Sequence, residues 1–466
     1  MNKYEHVKRY IKDQLQSNAI KPGAKLMSIR EISSQFACSK NTVIRAYDDL
    51  EKEHLIYSVP KSGYYAVQGA ASDVQATAGL IDFSSAAPDP EVMPYEDFQH
   101  CLNRAIALYQ DQLFSYTDPQ GFLTLRQSLA KHLADSQIFA RPEHICVVSG
   151  SQQALHLANV MPFPNGKSTV LVEQPAYSGM LRSLELLHIK AVGIARTKDG
   201  VDLEELERHF RNNNIKFFYT VSRYHNPTGW SYTQEQKKQI ARLASKYDVY
   251  IVEDDYLGDL EIDRKADPIY SYDTTGHVIY TRSFSKVMLP GLRLALAVLP
   301  KRLIETFTLF KSSNDLSTAA LSQAALEIYL NSGMFDRHVT HMRSRYRERM
   351  KVLQDASLRY LAPRIQVDAP QGGIFCSITL PDGIDAWEIA AALRQQEVLV
   401  TPSDRFYLPA FPSENALRVS VIRTDDQQIH NGIRRIAEAA DRLAEVAASG
   451  QMRSAREWHS SRNAMM

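Results

Sequence analysis

Six short runs in this 466-residue chain are nearly continuous stretches of apolar, β-branched and aromatic residues: Ile145–Ser149, Thr169–Val172, Phe217–Val221, Tyr250–Val252, Val278–Thr281 and Leu294–Leu299. A strand with one wet face alternates apolar and polar residues; runs like these belong to strands buried on both faces. Helix-length segments separate them, which restricts the region to a mostly parallel sheet covered by helices on both sides, an α/β architecture. Past about residue 300, helical stretches at Ala319–Leu330 and Arg337–Leu353 lead to a smaller α+β lobe near residues 365–440. A hydrophobic content of 44% supplies the large core this requires, and no fixed repeat period points to a solenoid or propeller.

The first 68 residues follow another pattern. Tyr4, Val7, Ile11 and Leu15 share one face at helical spacing. Ser28 and Glu31 form an S-x-x-E capping box ahead of Ile29, Ile32 and Phe36, and Ser39 can cap a third helix with Val43, Tyr47 and Leu50 inward. Leu55–Val59 and Tyr64–Val67 then flank Pro60-Lys61-Ser62-Gly63, a hairpin signature. Three helices and a hairpin make a winged helix-turn-helix, mainly α, whose second motif helix enters the DNA major groove. Over residues 1–68 eleven Lys and Arg face seven Asp and Glu, although the whole chain carries a net charge of only +1. The positive surplus lies where DNA binding needs it.

In open α/β sheets ligands bind beyond the carboxyl ends of the strands. Ser149-Gly150-Ser151-Gln152-Gln153 follows the first run, Glu253-Asp254-Asp255-Tyr256 the fourth and Ser283-Phe284-Ser285-Lys286 the fifth. An anion nest, an acid and a lysine therefore converge on one edge. A glycine loop at a helix N-terminus offers N–H groups to a phosphate, and Arg293 can add a charge-assisted clamp. Pyridoxal phosphate needs this set: a lysine amine to condense with its aldehyde, a carboxylate to keep the pyridine nitrogen protonated, and donors for the phosphate. Asn226, in Arg223-Tyr224-His225-Asn226-Pro227-Thr228-Gly229, offers an amide to the ring hydroxyl, and Tyr177 offers an aromatic plate.

Two resemblances follow. Residues 20–67, with a PG before a leucine, S-x-R, S-x-x-T-V, A-Y-x-x-L and a closing wing, resemble the winged helix of the GntR family of bacterial repressors. That implies DNA contacts from Arg30, Ser39, Asn41, Thr42 and Arg45, with Lys61 and Gly63 at the wing tip. Met27 stands where the family often has proline, and Lys61-Ser62-Gly63 replaces a two-glycine wing. The motifs N-P-T-G at 226–229, E-D-D-Y at 253–256, S-F-S-K at 283–286 and L-R at 292–293 resemble the fold-type I aminotransferases over roughly residues 82–440.

This second resemblance implies Lys286 as the cofactor lysine and Asp254 as the partner of the pyridine nitrogen, with Tyr256 completing the catalytic group. It places Tyr256 and Asn226 at the ring oxygen, Tyr177 in a stack, and Ser151, Gln152, Ser283 and Arg293 on the phosphate. Many aminotransferases keep two residues between the acid and the tyrosine, a spacing that would select Glu253 here; Asp254 is the acid expected. Arg418 matches the arginine that binds an α-carboxylate, and Tyr116, in Tyr-Thr-Asp-Pro-Gln-Gly, matches a segment that reaches the neighbouring subunit's phosphate. Gly179 stands where some amino-acid-responsive relatives carry arginine, with Arg182 the nearest substitute. His338 and His341 lie three apart on a helix without a third ligand nearby, and no metal is expected.

A GntR-like winged helix fused to an aminotransferase-like body is the arrangement of the MocR family, which Ala87-Pro88-Asp89-Pro90 with Met93-Pro94 also resembles. The resemblance implies a pyridoxal phosphate-dependent transcriptional regulator, a head-to-tail homodimer on double-stranded operator DNA that answers to an amino-acid-like or amine effector. Two other functions use the same residues: an active aminotransferase with an accessory DNA-binding module, and a sensor of pyridoxal phosphate itself that controls vitamin B6 supply. We expect a winged helix at 1–68, a linker at 69–80, a pyridoxal phosphate-binding body at 81–445 and a tail at 446–466. Four dispersed cysteines, no apolar core in the opening MNKYEHVKRY and no long apolar segment suggest a reduced, cytoplasmic chain.

Overall fold

The computed structural model describes residues 3–448 apart from 18, 22, 54, 61, 68–78, 213, 264, 265, 366 and 368. The chain separates into two compact units, Met1–Ala78 and Gly79–Met466. Lys61, all of the expected linker but Gly79 and Leu80, and residues 449–466 of the expected tail lie outside the described residues.

In the first unit, α1 (Lys3–Gln16), α2 (Ile29–Gln35) and α3 (Lys40–Lys52) enclose a core of Val7, Ile11, Ile32, Val43, Tyr47 and Leu50, closed by Leu26, Ile56 and Ala66. The capping box forms at α2, with Glu31 N donating to Ser28 Oγ at 3.3 Å and Ser28 N to Glu31 Oε2 at 2.6 Å. Ser39 caps α3 through Thr42 N at 3.2 Å. The hairpin pairs β1 (Ile56–Val59) with β2 (Gly63–Ala66) in antiparallel register, Val59 opposite Gly63. β2 thus starts one residue before the expected Tyr64, because Gly63 turns the chain into the strand at φ +119°, where side chains are strained.

The second unit begins with β3 (Ile81–Asp82) and builds its large sheet from β4 (Ile145–Val148), β5 (Thr169–Gln174), β6 (Ala191–Ala195), β7 (Ile215–Thr220), β8 (Tyr250–Asp254), β9 (Val278–Ser283) and β10 (Ala295–Val298). The order is β4-β10-β9-β8-β7-β5-β6. Every pairing from β9 to β6 is parallel, whereas β10 runs antiparallel to both β4 and β9. Residues 284–294, between β9 and β10, contain no crossover helix, and without one a chain returns antiparallel. The sheet is mixed for this reason.

A smaller lobe follows: β11 (Phe375–Thr379), β12 (Val398–Leu399), β13 (Thr401–Pro402) and β14 (Ala416–Ser420). β11, β14 and β13 form an antiparallel sheet, and β12 pairs in parallel with β3, so the unit's first strand belongs to its last lobe. The helix Met334–Tyr360 spans both cores, giving Val339 and Met342 to the larger and Met350 and Leu353 to the smaller. The helix Asp426–Ala448 runs into the expected tail because its apolar stripe continues through Ile429, Ile433 and Ile436 to Leu443.

Candidate functional site

β8 carries Glu253 and Asp254 and leads directly into Asp255, and the pleat sends neighbours to opposite faces. Asp254 accepts hydrogen bonds from Tyr219 Oη at 3.2 Å and Thr281 Oγ1 at 3.3 Å, both brought alongside by β7 and β9. Burial pushes its carboxyl up to about 6. Glu253 is fully engaged elsewhere: Ser222 Oγ and the amides of Ile269 at 2.8 Å and Tyr270 at 2.9 Å donate to it. Asp255 is gripped by Arg223, takes a bond from Tyr280 Oη at 2.5 Å and lies 3.6 Å from Arg282.

Lys286 lies just beyond β9 and donates from Nζ to Ala86 O at 2.5 Å. Burial, helped by the neighbouring Arg418 charge and opposed by Asp254, pulls its ammonium down to about 8. Tyr256 is buried and donates to Tyr224 O at 2.6 Å.

The helix Ser151–Val160 begins at Gly150, which has no side chain to cap it and stands at φ +85°. A Cβ at 150 would collide with the Arg293 guanidinium, which lies against this turn and donates to Ser149 O at 3.2 Å. Gln152 donates to Gly179 O at 3.1 Å while its own Oε1 is buried without a partner. Ser283 is buried, and its Oγ accepts from Ser285 N at 3.2 Å. Gly179 has its own reason: a Cβ there would approach the Tyr177 ring within 2.5 Å, so no arginine fits while that ring holds its place. Arg182 is not a substitute. It is exposed and paired with Glu185 at 2.8 Å.

Arg418, on β14, is buried between Phe375 and Phe406, with ring centroids 4.6 and 5.0 Å from its guanidinium carbon. It donates to Asn226 Oδ1 at 3.4 Å, Ser84 O at 2.5 Å and Thr401 Oγ1 at 3.3 Å, and Nε has no partner among the described residues. No carboxylate among the described residues forms an ion pair with it, and burial pulls it down to about 10. Asp254, Arg293 and Arg418 are close enough to act on the protonation of both Tyr177 and Lys286. Tyr116, 88% exposed, is not brought to this cluster within one chain.

Sequence reasoning overlooked Tyr219, Thr281, Phe375, Phe406 and the carbonyls of Ser84 and Ala86. Tyr219 and Thr281 sat inside strand runs read only for their apolar character; strand pairing reveals their role.

In the first unit Arg30, Asn41 and Arg45 are exposed, and Arg45 lies over the Tyr4 ring at 5.2 Å. Ser39 and Thr42 bond each other, Oγ to Oγ1 at 2.8 Å, as part of the α3 cap. Gly63 packs beside Lys25 at the wing. His338 donates from Nε2 to the Val287 carbonyl at 2.7 Å.

Residues 3–65 match the family "Bacterial regulatory proteins, gntR family", and residues 79–436 match "Aminotransferase class I and II". The chain is 46% identical over 438 residues to the uncharacterized HTH-type transcriptional regulator YcxD of Bacillus subtilis (strain 168), covering 93% of this chain and 99% of that one. The chain belongs to the MocR family. As a MocR protein it joins a GntR-type DNA-binding domain to a fold-type I aminotransferase-like body. It is also 29% identical to the uncharacterized HTH-type transcriptional regulator YdcR of Escherichia coli (strain K12), over 87% of this chain and 92% of that one. The MocR body is similar to the solved structure of Pyrococcus horikoshii kynurenine aminotransferase, with TM-score 0.73 and 29% identity over 78% of this chain and 92% of that one. Among the described residues no helix is long and apolar enough to cross a membrane.

Proposed function

We propose that this regulator binds pyridoxal phosphate in its C-terminal unit and senses an amino compound that bears a carboxylate, while its N-terminal unit reads operator DNA as part of a homodimer. The observation that carries the reading is Arg418: a buried guanidinium without an acidic partner among the described residues, beside a lysine pulled down to about 8. An arginine so placed is a receptor for a planar anion.

The donor set fits the cofactor. The turn at Gly150 lets the Arg293 guanidinium lie against the N-terminus of the helix Ser151–Val160, and a cation beside a helix's first amides suits a phosphate. Ser151, Gln152, Ser283 and Arg293 would hold the phosphate, Asp254 the ring nitrogen, Asn226 and Tyr256 the ring oxygen, and Tyr177 the ring face. The partner subunit's copy of the Tyr116 segment would complete the phosphate corner. Bound there, the cofactor supplies an aldehyde carbon for amines and an electron-withdrawing ring. With its amine near 8, Lys286 has an unprotonated fraction at neutral pH and can take or return a proton at Nζ. Arg418 orients a carboxylate, and Phe375 and Phe406 keep water from it. On the DNA side, Arg30, Ser39, Asn41, Thr42, Arg45, Lys61 and Gly63 form the proposed contact set.

The test begins with the visible spectrum. Wild-type protein incubated with pyridoxal phosphate should turn yellow and Lys286→Ala should not; a colourless wild type overturns the cofactor reading. L-, D- and ω-amino acids are then screened for spectral change, and each hit is assayed for keto-acid production and operator affinity. Turnover at roughly 1–1000 per second without any change in operator affinity would make the protein an aminotransferase instead. Unchanged operator binding after deletion of residues 1–68 would refute the regulator reading.

A further inference from the structure

Residues 82–89 lie across the two cations on which ligand chemistry at this site depends. Ser84 O accepts from Arg418 Nη2 and Ala86 O from Lys286 Nζ, each at 2.5 Å. The segment is shaped for this. Asp82 Oδ1 accepts from Ser84 N at 2.9 Å, Ser84 Oγ at 2.7 Å and Ser85 N at 3.1 Å, a turn that fixes where the Ser84 carbonyl points. Both ends are pinned. Phe83 is fully buried and bonds the backbones of Leu399 and Ser420, and Asp89 pairs with Arg349 at 3.1 Å and Arg345 at 3.6 Å.

Guanidinium geometry decides what a ligand must do here. Both edges on which arginine can hold a carboxylate at two points include Nη2. In Arg418, Nη2 already donates to Ser84 O and Thr401 Oγ1, and Nε is without a partner among the described residues. A two-point grip on a carboxylate therefore takes a hydrogen from one of these acceptors. Thr401 is held in β13, whereas Ser84 lies in irregular chain. Lys286, once bonded to carbon, likewise has fewer hydrogens for Ala86 O.

We propose that residues 82–89 are a strap that an amino compound's carboxylate displaces from Arg418, so that the strap is the element that registers the effector. The proposal rests on the cofactor and amino-carboxylate reading above. The strap starts at β3, the first strand after the segment that joins the two units.

Two probes that differ only in the carboxylate test it: N-(5'-phosphopyridoxyl)-L-alanine and N-(5'-phosphopyridoxyl)ethylamine. Both should bind the full-length wild type, and only the alanine adduct should speed hydrogen exchange of the Ser84, Ser85 and Ala87 amides, by about threefold or more. Equal exchange with the two adducts, or slower exchange with the alanine adduct, overturns the strap while leaving the cofactor site standing. If neither adduct binds, the cofactor reading falls and the strap with it. A second comparison uses Asp82→Asn, which removes the charge and keeps an acceptor for the turn, and Asp82→Ala, which removes both. The Ala variant should bind the alanine adduct about three- to tenfold more tightly than the Asn variant, the worth of a hydrogen bond or two, with no difference for the ethylamine adduct. Equal affinities for the alanine adduct refute the proposal.

Discussion

Replacing Lys286 with methionine should make the cofactor-free protein more stable at neutral pH while removing the amine proposed to condense with pyridoxal phosphate. The side chain is pulled from 10.5 down to about 8, chiefly by burial and then by the Arg418 charge, so the folded state holds its proton more weakly than the unfolded chain does. At 1.36 kcal/mol for each tenfold, carrying the ammonium costs the fold about 3 kcal/mol. That cost is fully present below pH 8 and fades as pH rises through 10.5, where both states are neutral. Methionine removes the charge and keeps the apolar stem, but it also forfeits the bond to Ala86 O, about 1 kcal/mol. The expected net gain is about 2 kcal/mol at pH 7, falling to zero or slightly below near pH 10.5. All three tryptophans, Trp230, Trp387 and Trp458, follow residue 79, so denaturant unfolding read by tryptophan fluorescence reports on the C-terminal unit. A variant less stable than wild type at pH 7, or one whose gain persists unchanged at pH 10.5, would refute the account of Lys286 as a strained, desolvated amine.

Tyr219→Phe removes a hydrogen bond that holds the Asp254 carboxylate down, so that carboxyl should rise further above about 6 and cofactor affinity at pH 7 should fall about three- to tenfold by absorbance titration. Unchanged affinity would detach Tyr219 from the site. Gly150→Ala should displace Arg293 and weaken cofactor binding about tenfold or more, whereas Gly166→Ala, strained at φ +64° but with nothing near its Cβ, should leave binding alone. Arg45→Ala should cost operator binding about 1–3 kcal/mol and flatten its salt dependence, read by fluorescence anisotropy. Ser39→Ala should, besides any loss of operator binding, lower the melting temperature of the N-terminal unit, through loss of an N-cap worth about 1 kcal/mol.

What could be read from the residues was whatever depends on local order. The capping box at Ser28, the hairpin around Gly63 and the buried runs of the large sheet each carry their cause within a few positions, and each forms within a residue or two of where the pattern places it. β6 went unread because it is a half-buried edge strand whose short apolar run is interrupted by Gly193. The resemblance named Asp254, but local order alone does not separate it from Glu253. Adjacent strand residues look alike in sequence, and only the pleat, with Ser222 and two backbone amides behind one acid and Tyr219 behind the other, separates them. Arg418 was readable as a cation, but its Phe375 and Phe406 walls come from opposite ends of the lobe's sequence and meet only in the fold. The strap carbonyls belong to the backbone, on which side-chain identity says little.

The pairing of β3 with β12 sets a rule for anyone who would exchange the DNA-reading head of this protein for another. Ile81 and Phe83 are core residues of the small lobe, Phe83 packed so closely on Gly432 that no larger residue fits there. A chimera spliced after residue 83 would carry away a strand of the body and open that lobe to solvent, however well the grafted head folded. The portable cassette ends before Gly79, and everything from there on belongs to the receiver.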